Sequence, residues 1–310
     1  MSSVSDVLLA GRVGDSRWQR LRRGVRKHGL AYILLAPMVI LLVAFVAIPF
    51  ASLLYYGVHK TYLDGTASYV GLGNFNLLIH ESRFIQNISA TLVYLVGVLV
   101  ISIPVAYFGA ILISSNMRGG GVLRTLLLIP WILAPVVTAL LFKTMLNPSS
   151  GPITILLKWI FGHPVYLTLS PAGSRLVIIL HSAWRSFPLE MILLAAGMAS
   201  IPPELYDAAR VDGANLWQQF TRITLPLTRV SLLSAVIIIS VFTIHDAEGV
   251  YALTQGGPGY ATEVTGVRLF KEAFLYFNIG QASSIGIALI LLAILVMIIY
   301  LRVLGTGEAT

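Results

Sequence analysis

Six long stretches of this sequence contain few or no charged side chains, and they constrain its fold more than any other feature. A helix needs about 20 apolar residues to cross the hydrocarbon core of a bilayer. Backbone polar groups inside a bilayer must bond within the chain, so such stretches form helices. The predicted spans are residues 30–57, 84–115, 122–145, 174–200, 228–249 and 282–302.

Composition supports the same fold class. The 310 residues are 57% hydrophobic and only 11% charged, and a soluble domain of this size could not bury so much apolar surface. The sequence therefore predicts an all-α membrane protein with six transmembrane helices. The first stretch is too long, and begins too late, to be a signal peptide. The absence of cysteine excludes disulfides, thiolate metal sites and a cysteine nucleophile.

The distribution of Lys and Arg predicts the orientation. With both termini in the cytoplasm, 13 of the 21 basic residues lie inside and 7 lie outside, while Arg185 falls within a span. The positive-inside rule favours this arrangement. The net charge of +8 comes largely from the predicted cytoplasmic tail, residues 1–29, and topology explains it better than nucleic-acid binding does. The predicted transmembrane domain is 30–302, followed by a short cytoplasmic tail, 303–310.

The segment 201–226, between the fourth and fifth spans, is much more polar than its surroundings. Pro202 and Pro203 suit a helix start, because the first turn makes no intrahelical use of their missing N–H groups. Gly213 allows the chain to turn before a second short helix. We expect a helix-turn-helix on the cytoplasmic surface, with its apolar residues against the bundle and a polar end available to a partner.

This segment, "ELYDAARVDGANLWQQFTRITLPL", resembles the cytoplasmic loop of ATP-binding-cassette importer permeases, described as E-A-A, three residues, G, then I-x-L-P. Aspartate replaces the glutamate here and keeps its charge. The stretches "YALTQGGPGYATE" (251–263), "KEAFLYFNIGQASSIGIALI" (271–290) and "GLGNF" (71–75) resemble the subfamily that imports sugars and glycerol phosphates. An ordinary interfacial amphipathic helix would have no reason to carry this pattern.

The resemblance implies a permease subunit in the inner membrane of a bacterium or archaeon. It implies four kinds of partner: a second homologous permease, two ATPase subunits, an extracytoplasmic solute-binding protein and the lipid bilayer. It also implies that ATP and Mg bind to the ATPase subunits and that this chain binds no cofactor. In the family the loop is a coupling helix that contacts the ATPase; the matching residues here are Asp207, Ala208, Ala209, Asp212 and Gly213.

Ionisable groups inside a membrane are costly and point to function. Polar and aromatic residues cluster in "HSAWRSFPLEMILL" (181–194), where Pro188 predicts a kink, and in "IHDAEGVY" (244–251). The predicted substrate-pathway residues are Trp184, Arg185, Ser186, Glu190, His245, Asp246 and Glu248. Alternatively, Arg185, Glu190, Asp246 and Glu248 form a structural ion-pair network, or the second cluster lies at the membrane interface.

The sequence leaves the solute open among sugars and glycerol phosphates or phosphodiesters. An anionic substrate favours Arg185 and His245 as contacts, whereas a neutral sugar favours the carboxylates. Because carboxylates are more numerous here, the sequence points to a sugar. An enzyme is disfavoured, since no metalloprotease, G-x-S-x-G or phosphate-loop motif is present. A secondary transporter or channel would suit six spans with buried charges, but would not explain the 201–226 segment.

Overall fold

A computed structural model describes residues 30, 32–62, 64–114 and 119–304 of the chain. The predicted basic tail, 1–29, and the last residues of the predicted C-terminal tail, 305–310, lie outside the described residues. The chain divides into two compact units, residues 1–53 and 54–310, and each is described by itself.

Most of the described chain is helical. We number the helices α1 Tyr32–Gly57, α2 Gly73–His80, α3 Ser82–Ser114, α4 Gly120–Ile132, α5 Pro135–Met145, α6 Pro152–Phe161, α7 Pro171–Ala199, α8 Pro203–Val211, α9 Leu216–Leu227, α10 Arg229–Ile244, α11 Glu248–Thr254, α12 Thr265–Phe274 and α13 Ile279–Leu304.

Within the described ranges, four helices (α1, α3, α7 and α13) are long and apolar enough to cross a membrane. The number rises to six if α4 with α5, and α9 with α10, each count as one span. The first helix runs through Pro37 and Pro49 and contains a π-helical turn at Val43–Ala47.

The second unit is built around the contact between α3 and α7. A Cβ added to Gly97 would lie 2.6 Å from Cδ1 of Ile179, and one added to Gly109 would lie 2.7 Å from Sδ of Met191. The two backbones therefore approach closely where these glycines leave room. Residues from α10 and the following segment, among them Ile239, complete the buried core around this pair.

The predicted span 122–145 is not a straight helix, because α4 and α5 meet at an angle of 95°. Leu133 and Ala134 are extended, each with ψ of 141°, and Pro135 begins the next helix. Proline disfavours helical backbone in the residue before it, so the break falls directly ahead of Pro135. By contrast, α7 continues through Pro188 to Ala199 as one helix, at the position where the sequence predicts a kink.

The fifth predicted span, 228–249, is shorter in the structure. It begins after a 71° bend at Thr228 and ends at Ile244, so residues 245–249 lie beyond α10. The predicted loops also contain ordered elements, since 58–83 holds α2 and a hairpin. The strands His59–Thr61 and Ala67–Tyr69 pair antiparallel, with Lys60 opposite Ser68, and are the one sheet in the described part of the chain.

The segment before α12 is held by a buried carboxylate, Glu263, whose side chain has no exposed surface. Nε and Nη2 of Arg83 donate to its two oxygens at 2.8 Å, and Nζ of Lys271 donates to Oε1 at 2.8 Å. Asn87 donates to both the Glu263 carboxylate and its backbone carbonyl. The ring of Tyr260 lies 4.1 Å from the guanidinium carbon of Arg83.

Burial alone would raise the pKa of the Glu263 carboxyl, but hydrogen bonds from Arg83, Lys271 and Asn87 outweigh it and lower the pKa to about 2. Because the pKa is lowered, the ionised carboxylate stabilises the fold at every pH above the ordinary pKa of a glutamate, 4.5. This stabilisation is lost as the pH falls from about 4.5 towards 2.

We expect Glu263→Gln to destabilise the detergent-purified chain by roughly 3 kcal/mol at pH 7, because Arg83 and Lys271 lose a buried counter-ion. The difference in thermal unfolding temperature between wild type and variant should be the same at pH 7 and pH 5, and it should become smaller near pH 3.5. Glu204→Gln, at an exposed position, is the control and should unfold like wild type. A difference that does not change with pH would contradict the role of the carboxylate charge.

Candidate functional site

The helix-turn-helix element, residues 201–227, begins as its sequence predicts. Pro202 occupies the N-cap of α8, Pro203 the first helical position, and Glu204 the first turn. Proline is favourable there because these N–H groups have no intrahelical acceptor, and the carboxylate complements the positive end of the helix.

The turn between α8 and α9 depends on Gly213, which has φ of +75°. Its N–H donates to the carbonyl of Arg210 at 3.1 Å, and the N–H of Ala214 donates to the carbonyl of Ala209 at 2.8 Å. No atom lies within 4 Å of a Cβ added at this position, so the constraint is the backbone conformation and not a lack of space.

A capping box begins the second helix of the element. The side chain of Asn215 accepts from the N–H of Gln218 at 2.8 Å, and the side chain of Gln218 accepts from the N–H of Asn215 at 2.9 Å. The sequence analysis missed this pair, although the spacing of an N-cap residue and a glutamine three positions later is a recognisable signal.

The predicted apolar face of the element packs against the bundle only in part. Phe220 contacts Tyr107 of α3 as predicted, with ring centres 5.3 Å apart. The bundle does not cover the other apolar side chains, and there the prediction is wrong. Val211, Leu216 and Trp217 are 88%, 84% and 71% exposed, and Leu205 is 43% exposed. Ala208, Asp212 and Gly213 are exposed as well, while Ala209 is partly buried. A contiguous segment of this composition on a protein surface is typical of a binding site.

The charges of α8 also lie on the surface. Asp207 accepts from Nη2 of Arg210 at 2.6 Å, and both side chains are about two-thirds exposed, at 65% and 66%. An exposed pair of this kind contributes little to stability. The Asp207 carboxylate is therefore available to another cation at small cost.

Hydroxyl groups join the two helices of the element to each other and attach the bend that follows it to the bundle. The Tyr206 hydroxyl lies 2.9 Å from Oγ1 of Thr224, joining α8 to α9. At the bend, Oγ1 of Thr228 donates to the carbonyl of Thr224 at 2.7 Å and lies 2.9 Å from the hydroxyl of Tyr107 in α3. The element and the bend that follows it are thus attached directly to α3.

Five polar side chains of α7 are buried in the bundle: Ser174, His181, Ser182, Ser186 and Glu190. Glu190 is fully buried, and its Oε1 accepts from the Ser102 hydroxyl of α3 at 2.7 Å. Its Oε2 has no partner. In this conformation Glu190 joins α3 to α7 and does not border an open space, so its place in a substrate pathway stays a prediction.

His181 is hydrogen-bonded to α5. Its Nε2 lies 2.9 Å from Oγ1 of Thr138, and that hydroxyl donates its hydrogen to the carbonyl of Pro135 at 2.9 Å. Nδ1 is buried without a partner.

Asp246 lies just beyond α10 and is only 8% exposed. Its Oδ2 accepts from the Tyr94 hydroxyl of α3 at 2.8 Å, and its Oδ1 accepts from the N–H of Gly249 at 3.1 Å. The neighbouring candidates His245 and Glu248 are exposed. Glu248 occupies the first turn of α11, where a carboxylate is favourable in any helix.

Arg185 differs from these residues because its charged group has no bonded partner among the residues that the structure describes. The side chain is partly buried, its Nε is buried without an acceptor, and its guanidinium carbon lies 5.9 Å from the ring centre of Trp131. Trp184 is 36% exposed, and its ring centre lies 5.5 Å from that of Phe142. Ser186 donates only a long bond, 3.4 Å, to the carbonyl of Ala183.

The alternative of an ion-pair network is not supported. Among the described residues, none of the ion pairs includes Arg185, Glu190, Asp246 or Glu248. The same part of the chain contains no group of three or more His, Asp or Glu residues arranged to hold a metal ion. Instead, single hydroxyl groups on other helices bond the polar residues of α7 and Asp246: Tyr94, Ser102 and Thr138.

Residues 102–305 match the model of the family described as "Binding-protein-dependent transport system inner membrane component". The trehalose/maltose transport system permease protein MalF of Thermococcus litoralis is 29% identical over 90% of this chain and 94% of its own length. The sn-glycerol-3-phosphate transport system permease protein UgpA of Agrobacterium fabrum is 28% identical over 86% and 91%.

A probable ABC transporter permease protein of Pyrococcus horikoshii is 32% identical over 77% of this chain and 83% of its own. A chain of a bacterial alginate ABC transporter, solved with an alginate pentasaccharide-bound periplasmic protein, shares the fold with a TM-score of 0.80. The match covers 94% of this chain and 100% of that one, at 24% identity. The family match spans about two thirds of the sequence, and this chain therefore belongs to the binding-protein-dependent transport system inner membrane components.

Proposed function

We propose that this chain is the permease subunit of an ATP-driven importer, in which it forms half of a translocation pathway with a second, homologous permease. The helix-turn-helix element docks on an ATPase subunit, and an extracytoplasmic binding protein delivers the solute to the other side. The observation that carries this proposal is the exposed surface of the element, where Val211, Leu216 and Trp217 surround the turn at Gly213. The described bundle does not cover these side chains, and apolar side chains grouped on an otherwise polar surface segment are typical of a site that a partner covers.

The helix-turn-helix element and the Glu263 segment, which we propose face different partners, lie at opposite ends of α7. Near its start, Nε of Arg175 donates to the carbonyl of Ala261 at 2.9 Å, which places the Glu263 segment there. At its other end, Ala199 leads within a few residues into α8. The 29 residues of α7 extend for roughly 43 Å, enough to cross a bilayer. We assign the element to the cytoplasm and the Glu263 segment to the outside, with six spans and both termini inside.

ATP and Mg belong to the ATPase subunits in this proposal, since the chain has no phosphate-binding loop. The carboxylates Asp207 and Asp212 meet basic groups of the ATPase, and the apolar side chains fill its surface. Closure of the ATPase pair then displaces the element, and the bundle alternates between inward-open and outward-open states.

The proposed solute is a sugar or a glycerol phosphate. The relatives in the comparisons are named for trehalose/maltose and for sn-glycerol-3-phosphate transport, two classes that share a hydroxyl-rich carbon skeleton. In this chain the partly exposed Trp184 and the free Arg185 lie on α7, where a hydroxylated ring can stack on an aromatic face. These residues form the proposed substrate contacts.

The turn at Gly213 is expected to be essential for ATPase association. Proline cannot adopt φ of +75° and lacks the N–H that bonds Arg210, so Gly213→Pro should reorient α8 and α9 without affecting insertion. Co-purification of the ATPase subunit with a tagged chain in membranes measures this. Gly162→Pro is the control because Gly162 has φ of +73° and equally open surroundings. Equal ATPase recovery with both variants would count against the proposed coupling role.

Trp217 should anchor the ATPase interface. Removal of a central aromatic anchor costs 2 kcal/mol or more, so Trp217→Ala should weaken ATPase retention by about 30-fold while leaving the permease folded. Trp159→Ala is the matched control, since Trp159 is 82% exposed in α6, far along the chain from the element. The measurement is a titration of purified ATPase against each permease in nanodiscs. Unchanged affinity for the Trp217 variant would exclude this surface.

A further inference from the structure

Arg185 is the middle residue of α7, with 14 residues of the helix on either side. A cation at this depth of a membrane-spanning helix is costly unless it has a partner. The other buried or partly buried arginines in the described ranges bond to protein: Arg83 to Glu263, Arg229 to Val303, and Arg268 to Glu81 and Glu272. Arg185 has no such bond. Arg185 therefore places a charge where a charge is costly, and its N–H groups have no acceptor in the described part of the chain.

The nearby carboxylates do not neutralise it. Asp246 and Arg185 are close enough to act on the same ring of His181, yet no oxygen of Asp246 lies within the 4 Å of an ion pair. Both oxygens of Asp246 already accept hydrogen bonds, from Tyr94 and Gly249. Glu190 is fully buried and bonded to Ser102. The carboxylates therefore serve the fold in this conformation.

This arrangement reverses the preference drawn from the sequence. The number of carboxylates favours a neutral sugar, but Asp246 and Glu190 are buried and bonded to other helices. The charged group that remains available is a donor, with the ring of Trp131 beside it and Trp184 next in sequence. A guanidinium binds carboxylate and phosphate groups with two parallel hydrogen bonds, and a neutral hydroxyl cannot match that geometry.

We infer that the transported solute carries an anionic group and that Arg185 binds it during passage. This inference rests on the proposed function and identifies its substrate class as an acidic carbohydrate or polyol. The shared chemistry is a planar or tetrahedral oxyanion, either the carboxylate of a uronic acid or the phosphate of a polyol phosphate. The aromatic rings beside Arg185 contact the carbon skeleton.

The test uses the complete complex, with its second permease, ATPase subunits and binding protein, reconstituted in proteoliposomes. Four radiolabelled probes form two matched pairs: a uronic-acid disaccharide with maltose, and sn-glycerol 3-phosphate with glycerol. We expect ATP-dependent uptake of at least one anionic probe, at about 10-fold or more above its neutral counterpart. The pair that shows this preference distinguishes carboxylate from phosphate.

Arg185→Gln should reduce uptake of that anionic probe by about 10- to 100-fold, the effect of losing a hydrogen bond to a charged group. Arg185→Lys should restore part of it, because lysine keeps the charge but not the paired geometry. Arg302→Gln, which removes an exposed charge near the end of α13, is the control and should retain the preference. A purely structural role for Arg185 would not change the ratio of anionic to neutral uptake.

The outcomes separate the two proposals. A complex that assembles and imports a neutral probe equally well, with an uptake ratio unaffected by Arg185→Gln, overturns the anion inference and leaves the importer intact. A chain that recruits no ATPase and shows no ATP-dependent uptake of any probe overturns the proposed function itself.

Discussion

The close approach of α3 and α7 is the contact on which the rest of the second unit depends. Gly97 and Gly109 leave room on α3 for the Ile179 and Met191 side chains of α7, and the Ser102–Glu190 hydrogen bond lies between those two points along α3. Because apolar side chains gain little by leaving lipid for protein, packing and buried hydrogen bonds must hold such helices together. The polar groups at this contact, such as Glu190, therefore stabilise the packing of the helices. For this reason the number of carboxylates does not indicate whether the solute is neutral or charged.

Much of the architecture could be predicted from the sequence because length and hydropathy determine it locally. The spans, the start of α8 at Pro203 and the turn at Gly213 each depend on a few adjacent residues. The 95° bend ahead of Pro135 was harder to predict, since a proline in a membrane helix can either bend it or, like Pro188, leave it continuous. Contacts with the surrounding helices decide whether the helix bends or continues, and a single sequence does not specify those contacts.

The polar contacts of the candidate site show the same limit. Tyr94 and Asp246 are 152 positions apart, and Ser102 and Glu190 are 88 apart, so no local pattern relates them. The cluster around Glu263 likewise joins Arg83, 180 positions earlier, to a segment that the sequence marked only by a family resemblance. The apolar residues of the helix-turn-helix element illustrate a different difficulty. Their spacing predicts a buried face but cannot specify whether the bundle or another protein buries it.

The hydroxyl pair at the 71° bend has a kinetic consequence. Thr228 is bonded to Tyr107, so the chain that leaves the element is fixed to α3 at the point where α10 begins, while α8 follows directly from α7. A displacement of this surface is therefore applied to three helices at the same moment. In the proposed importer, such a linkage favours a concerted rearrangement of these helices over a sequence of partly moved intermediates.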